Sequence, residues 1–191
     1  MRLTPTVALA AALLWASTGC AEKAAPAAAF TFTDSAGRAC TPLAVGDSKA
    51  TVLIFLMPDC PVANASTPAL ARLVEEFTPR GIRFHGIYAT ATDAEIEAHR
   101  RSYGLTFPCL RDPRCQLARH TGATRVPEAA VLSPAGALLY RGRIDDRAVR
   151  PGLMRPVPQR EDLRRALTAI LDGRVPEHKF TPAIGCHLPL E

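Results

Sequence analysis

The stretch Thr51-Val-Leu-Ile-Phe-Leu-Met-Pro-Asp-Cys-Pro-Val-Ala-Asn64 decides how the rest of this chain is read. Residues 52–57 are apolar without interruption and end at the turn pair Pro58-Asp59, the pattern of a strand buried on both faces of a sheet. Pro61 suits the first position of a helix, because it lacks the N–H that would go unpaired there. Cys60 then falls at the helix start, where free N–H groups and the helix dipole favour a thiolate, the nucleophilic form of this side chain. A lone Cys is ordinarily a small buried residue. Strand, Cys-Pro and helix in succession point instead to a thiol redox site.

Upstream, Phe30-Thr-Phe-Thr33 alternates as an edge strand and ends at the turn Asp34-Ser-Ala-Gly37. Downstream, Leu70, Leu73, Val74 and Phe77 recur at helical spacing, and Pro79 and Gly81 close that stripe. Residues 82–88 return as a strand, and Thr92 with Glu95 makes a capping box for a helix ending near Gly104. Asp112-Pro113 opens a short helix running through His120 and stopped by Gly122. Two apolar runs, 129–132 and 138–144, flank Ser133-Pro-Ala-Gly136 as a hairpin. Leu163, Ala166, Leu167, Ile170 and Leu171 share one face of a last helix ended by Gly173. Helices interleaved with strands, then an antiparallel pair, predict an α/β fold with a central mixed sheet flanked by helices on both faces.

A length of 191 residues suffices for one domain with a real core, and an apolar content of 48% argues against a disordered chain. The net charge of +5 comes from scattered arginines without interleaved aromatics, so no nucleic-acid partner is expected. Residues 1–19 read as a signal peptide of lipoprotein type. Arg2 supplies the positive start, and the apolar run 7–15 is too short to span a bilayer. Ser17-Thr-Gly-Cys20 resembles a bacterial lipobox, which makes Cys20 the lipidation site; Ser17 stands where Leu is usual, which leaves ordinary cleavage nearby as the alternative. Residues 20–28 form an Ala-rich tether, 29–173 the folded domain and 174–191 a tail carrying Cys186. The expected location is the periplasm or cell envelope, with membrane attachment through Cys20. Disulfides persist there. Of six cysteines, five remain beside Cys20, and an odd number leaves at least one thiol unpaired or intermolecular.

These residues resemble the thioredoxin superfamily across roughly residues 29–173, and Asp59-Cys-Pro-Val-Ala-Asn64 resembles its redoxin-domain, peroxiredoxin-like branch. Tyr140-Arg-Gly-Arg-Ile-Asp-Asp146 and Thr181-Pro-Ala-Ile-Gly-Cys186 resemble that branch as well. The resemblance implies a thioredoxin-like fold, Cys60 as the catalytic thiol and a cis-proline loop facing it, matched by Thr124-Arg-Val-Pro-Glu128 with Pro127 as the cis residue. Pro61 and Arg125 are candidate supporting residues. The implied activity is thiol–disulfide exchange or peroxide reduction on a protein thiol, disulfide or peroxide, with an external thiol as reductant and no cofactor. Ala63 occupies the place of the second Cys of a C-x-x-C motif, so a partner for Cys60 must come from elsewhere. Leu53 and Met57 stand where a typical peroxiredoxin carries Pro and Thr. Cys115, on a later helix, occupies a place comparable to the resolving Cys of some atypical relatives, and Cys186 is carried on a tail able to fold back. Cys109 and Cys115 are alternatively a structural pair whose short loop would contribute on the order of 2–3 kcal/mol. Cys40 reads as a free or packed thiol.

Two other classes compete. A copper-binding or copper-delivery protein would draw on Cys60, Cys186, His187, His85 and His178, soft thiolate plus imidazole suiting copper. No tight cluster at metal spacing is present, so no resident metal is expected. A non-catalytic interaction module would present Asp145, Asp146, Arg147, Arg150 and Arg155 to a partner. Gly-rich phosphate loops and Ser-His-Asp arrangements are absent, which leaves hydrolase readings without support.

Overall fold

A short antiparallel pair, β1 (Phe32–Thr33) and β2 (Ala39–Cys40), precedes the central strand β3 (Ala50–Leu56) in the computed structural model, which describes residues 30–35, 37–43 and 46–190. The expected signal segment, the tether and Cys20 lie outside these residues. All seven residues of β3 are buried, so both of its faces are covered. It feeds α1 (Pro61–Phe77), a 3-10 turn (Thr78–Arg80), β4 (Ile82–Tyr88), α2 (Asp93–Ser102) and β5 (Cys109–Arg111). Next come α3 (Gln116–Thr121), β6 (Arg125–Val126), β7 (Glu128–Leu132) and β8 (Leu138–Gly142). A short pair, β9 (Ala148–Arg150) and β10 (Leu153–Met154), leads to α4 (Asp162–Leu171) and finally β11 (Cys186–His187).

The main sheet has the order β5-β4-β3-β7-β8. Strands β3, β4 and β5 are parallel, and β7 runs antiparallel to both β3 and β8. This is the mixed α/β sheet that the element order predicted. Its parallel half places the start of α1 at the carboxyl end of the central strand β3, a position where α/β folds expose chemistry.

Local chemistry explains the elements. On α1, Leu70, Leu73 and Phe77 are buried, as their spacing required. Pro68 lies inside that helix and cannot donate to the Asn64 carbonyl; the Thr67 hydroxyl donates to it instead, at 2.8 Å. The capping box at α2 is complete, with Glu95 N donating to Thr92 Oγ1 and Thr92 N donating to Glu95 Oε2.

Helix α3 starts at Gln116 rather than at Asp112-Pro113. The buried Asp112 carboxylate is its anchor, accepting from Gln116 N and Leu117 N at 2.9 Å each. Strand β5, three residues long, and the pair β9/β10 were too short to leave a periodic signature. The apolar run expected to continue to residue 144 stops at Gly142. There Thr181 of the tail presses on the backbone, and a Cβ at Gly142 would stand 2.1 Å from Thr181 Oγ1.

Residues 174–190 are not a loose tail. Arg141 N donates to Lys179 O and Thr181 N donates to Arg141 O, so the segment adds itself beside β8. The Tyr140 hydroxyl donates to Arg143 O at 2.6 Å and bonds Thr181 Oγ1 at 2.7 Å. The charged residues weighed as a partner surface are in part structural. Asp145 and Asp146 are buried, and their carboxylates hold Arg147, Arg155 and the N–H groups of Gln159 and Arg160.

Candidate active site

Cys60 is the N-cap of α1 and Pro61 its first residue, as the Cys-Pro sequence required. The backbone of Cys60 is tied at both ends: its N–H donates to Met57 O at 3.2 Å, and its carbonyl accepts from Asn64 N at 3.0 Å. The residue is 0% exposed, and its thiol donates to Val126 O at 3.4 Å. The Val126–Pro127 bond is cis.

Strand β11 lies antiparallel on β6, with Cys186 opposite Val126 and His187 opposite Arg125. The neighbouring Cys60 thiol first, then burial, then charge on Cys60 push the Cys186 pKa up to about 11. Gly185 is what admits this approach, since a Cβ there would stand 1.8 Å from Val126 O. One carbonyl, that of Val126, therefore touches the Cys60 thiol on one side and the tail backbone on the other.

The tail is strapped down beyond Cys186. Leu188 N donates to Thr124 O at 3.0 Å, the Cys115 thiol donates to Pro189 O at 3.2 Å, and Arg119 Nη2 donates to Leu190 O at 3.3 Å. Cys115 thus holds the tail. The Cys109 thiol, buried beneath Gly86, donates to Phe107 O at 3.7 Å, and burial pushes its pKa up to about 12. Both are free thiols committed to different carbonyls, so the short Cys109–Cys115 loop closure is not formed. Cys40 is likewise free and lies 3.8 Å from His85 Nδ1.

Of the residues picked from the sequence, Cys60, Pro61, Pro127, Arg125 and Cys186 come together. Arg125 directs Nη1 to Gly185 O at 3.4 Å and to His187 Nδ1 at 3.5 Å, along the tail. The imidazoles weighed for copper do not converge. His85 pairs with Cys40, His178 sits beside Glu177, and His187 faces the Arg125 guanidinium. Among the described residues no three metal-ligating side chains are grouped.

Two contributors escaped the sequence reading. Glu128, buried and adjacent to Pro127, accepts from Thr124 N at 2.8 Å and Arg125 N at 3.0 Å, and pairs with Arg141 at 3.3 Å. A charged residue beginning a buried strand was the available signal. The second is a relay behind Cys60. Asn64 Nδ2 donates to Pro58 O, which makes Asn64 Oδ1 the acceptor for His99 Nε2–H at 2.8 Å. His99 Nδ1 is then left to accept from the Tyr88 hydroxyl at 2.7 Å. Burial lowers the His99 pKa and keeps this tautomer neutral. The relay braces the Pro58-Asp59 turn that presents Cys60.

His85 gives a stability prediction. Burial first, and the charge of Arg83 second, depress its pKa from 6.5 to about 4. The unfolded chain therefore binds more protons between these values. The contribution of neutral His85 is complete above pH 6.5 and is lost as the pH falls through 4. The loss is on the order of 3 kcal/mol. Urea titrations across that window should show a shallower pH slope for His85→Gln than for the wild type.

A buried cysteine at a helix start, a cis-proline loop against it and a mixed five-stranded sheet define a thioredoxin-like thiol protein. A family model described as the AhpC/TSA family matches residues 23–141, and the chain belongs to that family. A hypothetical protein of Sinorhizobium meliloti 1021 superimposes with a TM-score of 0.75 at 28% identity, covering 87% of this chain and 93% of that one. An uncharacterised conserved protein of Geobacillus kaustophilus gives 0.73 at 27%, covering 87% and 89%. A secreted Mycobacterium tuberculosis disulfide oxidoreductase homologous to E. coli DsbE shares the fold, with a TM-score of 0.56 at 21% identity over 75% and 97% of the two chains. Comparison with curated proteins gave no match.

Proposed function

We propose that this protein carries out thiol–disulfide exchange through a pair formed by Cys60 and Cys186, cycling between dithiol and disulfide. The observation that carries the reading is the pairing of Cys186 with Val126, the residue whose carbonyl accepts from the Cys60 thiol. Cys186 takes the part that a second Cys at position 63 would take in a C-x-x-C protein, so the two thiols together form the redox-active dithiol. Val126 and Pro127 form the wall against which both rest.

Exchange with a dithiol or disulfide is favoured over peroxide reduction by the surroundings of the Cys60 sulfur. Its polar neighbours are a carbonyl and a second thiol, while the Arg125 guanidinium turns to Gly185 O and His187. A peroxide would need donors at the attacked oxygen. Export by the N-terminal segment and anchoring through Cys20 belong to the same proposal, since an oxidising compartment is where such a pair would cycle.

Oxidised protein should yield a Cys60–Cys186 crosslinked peptide on mass mapping. Cys60→Ser and Cys186→Ser should each reduce oxidation of a dithiol peptide to the rate seen without protein. Full turnover by Cys186→Ser would exclude the pair; full turnover by Cys60→Ser would exclude the site.

A further inference from the structure

The surroundings of the pair separate its two sulfurs. Cys60 is 0% exposed, closed in by β3, α1 and the Val126–Pro127 wall. Cys186 is partly exposed and is followed by the exposed His187. Reaching Cys60 from outside would mean lifting β11 from β6 and breaking the strap made by Leu188, Cys115 and Arg119. The seat under Gly185 fits that strand closely, a Cβ there having no room against Val126 O.

We propose that the external thiol attacks at Cys186, so that the tail cysteine, not the helix-start cysteine, forms the mixed disulfide with the partner. The proposal rests on the Cys60–Cys186 pair of the preceding section. A thiolate attacks a disulfide in line with the S–S bond, so the sulfur it joins must be reachable from outside. Cys186 is partly exposed, whereas Cys60 is fully buried. When Cys186 is attacked, the departing sulfur is that of Cys60 at the start of α1.

The chemistry balances with a partner dithiol. One partner thiolate bonds to the Cys186 sulfur, the Cys60–Cys186 bond breaks, and Cys60 leaves with the electron pair. The second partner thiolate then attacks the first partner sulfur and releases Cys186, whose thiolate takes up a proton. The partner has become a disulfide, and the pair has gained two electrons. A disulfide of higher potential reverses these steps and reoxidises the pair, again through Cys186. The partner class is thus a dithiol able to reach the tail.

The test uses the unmodified protein with glutathione as the probe thiol. Oxidised protein is incubated with excess glutathione, quenched with N-ethylmaleimide and peptide-mapped. The expected product carries glutathione on the Cys186 peptide and maleimide on Cys60, at least tenfold over the reverse. Glutathione mainly on Cys60 would overturn this assignment while leaving the pair intact. Absence of a Cys60–Cys186 crosslink in the starting oxidised protein would overturn the pair itself, and the assignment with it.

Discussion

Gly185→Ala is expected to lower the oxidised fraction of the Cys60–Cys186 pair at least tenfold while leaving the domain folded. A methyl group at this position would stand 1.8 Å from Val126 O, 2.8 Å from the carbonyl carbon and 3.2 Å from Pro127 Cδ. Backbone cannot yield as a flexible side chain does, so the tail must move. A disulfide requires Cβ atoms roughly 3.5–4.5 Å apart, and a displacement of about an ångström at the residue before Cys186 is enough to spoil that. The fold should survive because the tail has an independent attachment at Arg141 and Thr181. Mass spectrometry of oxidised protein reads the fraction, and a thermal melt checks the fold. Wild-type disulfide formation in a folded Gly185→Ala protein would show that the tail seat does not control the pair.

Glu128→Ala should destabilise the protein by about 3 kcal/mol, because it removes a buried carboxylate that two backbone N–H groups and a partly exposed arginine depend on. The loss strands Thr124 N and Arg125 N, both of which donate to Glu128, and frees Arg141 from its carboxylate. Arg141 retains the carbonyls of Thr121 and Gly122, which keeps the cost near the lower end of the range for such pairs. The same change loosens the backbone that carries Pro127, so the oxidation rate of the pair should fall together with stability. Glu128→Gln keeps an acceptor and should cost about 1 kcal/mol. A urea midpoint unchanged in Glu128→Ala would show that this carboxylate does not hold the loop.

What was legible in the chain was what neighbouring residues impose on one another. The all-apolar run before Pro58 could only be a buried strand, Pro61 could only begin a helix, and Thr92 with Glu95 capped the helix they precede. Pro127 was located by its resemblance to the redoxin loop and is cis. Three features had no local signature for one reason: their order comes from contacts distant in sequence. Cys115, one of the candidate partners for Cys60, bonds the tail carbonyl of Pro189. Asn64, His99 and Tyr88 gave no pattern, because their relay crosses from α1 to α2 and β4. The segment after residue 173 lacked any period, since its strand is two residues long and its remaining contacts are with other elements.

That a cysteine would stand between a buried strand and a helix, with no second cysteine three residues on, was legible in the chain alone. Burial, helix propensity and proline geometry act over a few residues and are written locally. Only the tertiary structure set Cys186 beside the Cys60 wall and Cys115 against the tail. That placement depends on the Val126 carbonyl, 66 residues from Cys60, meeting a glycine in the tail closely enough to leave no room for a side chain.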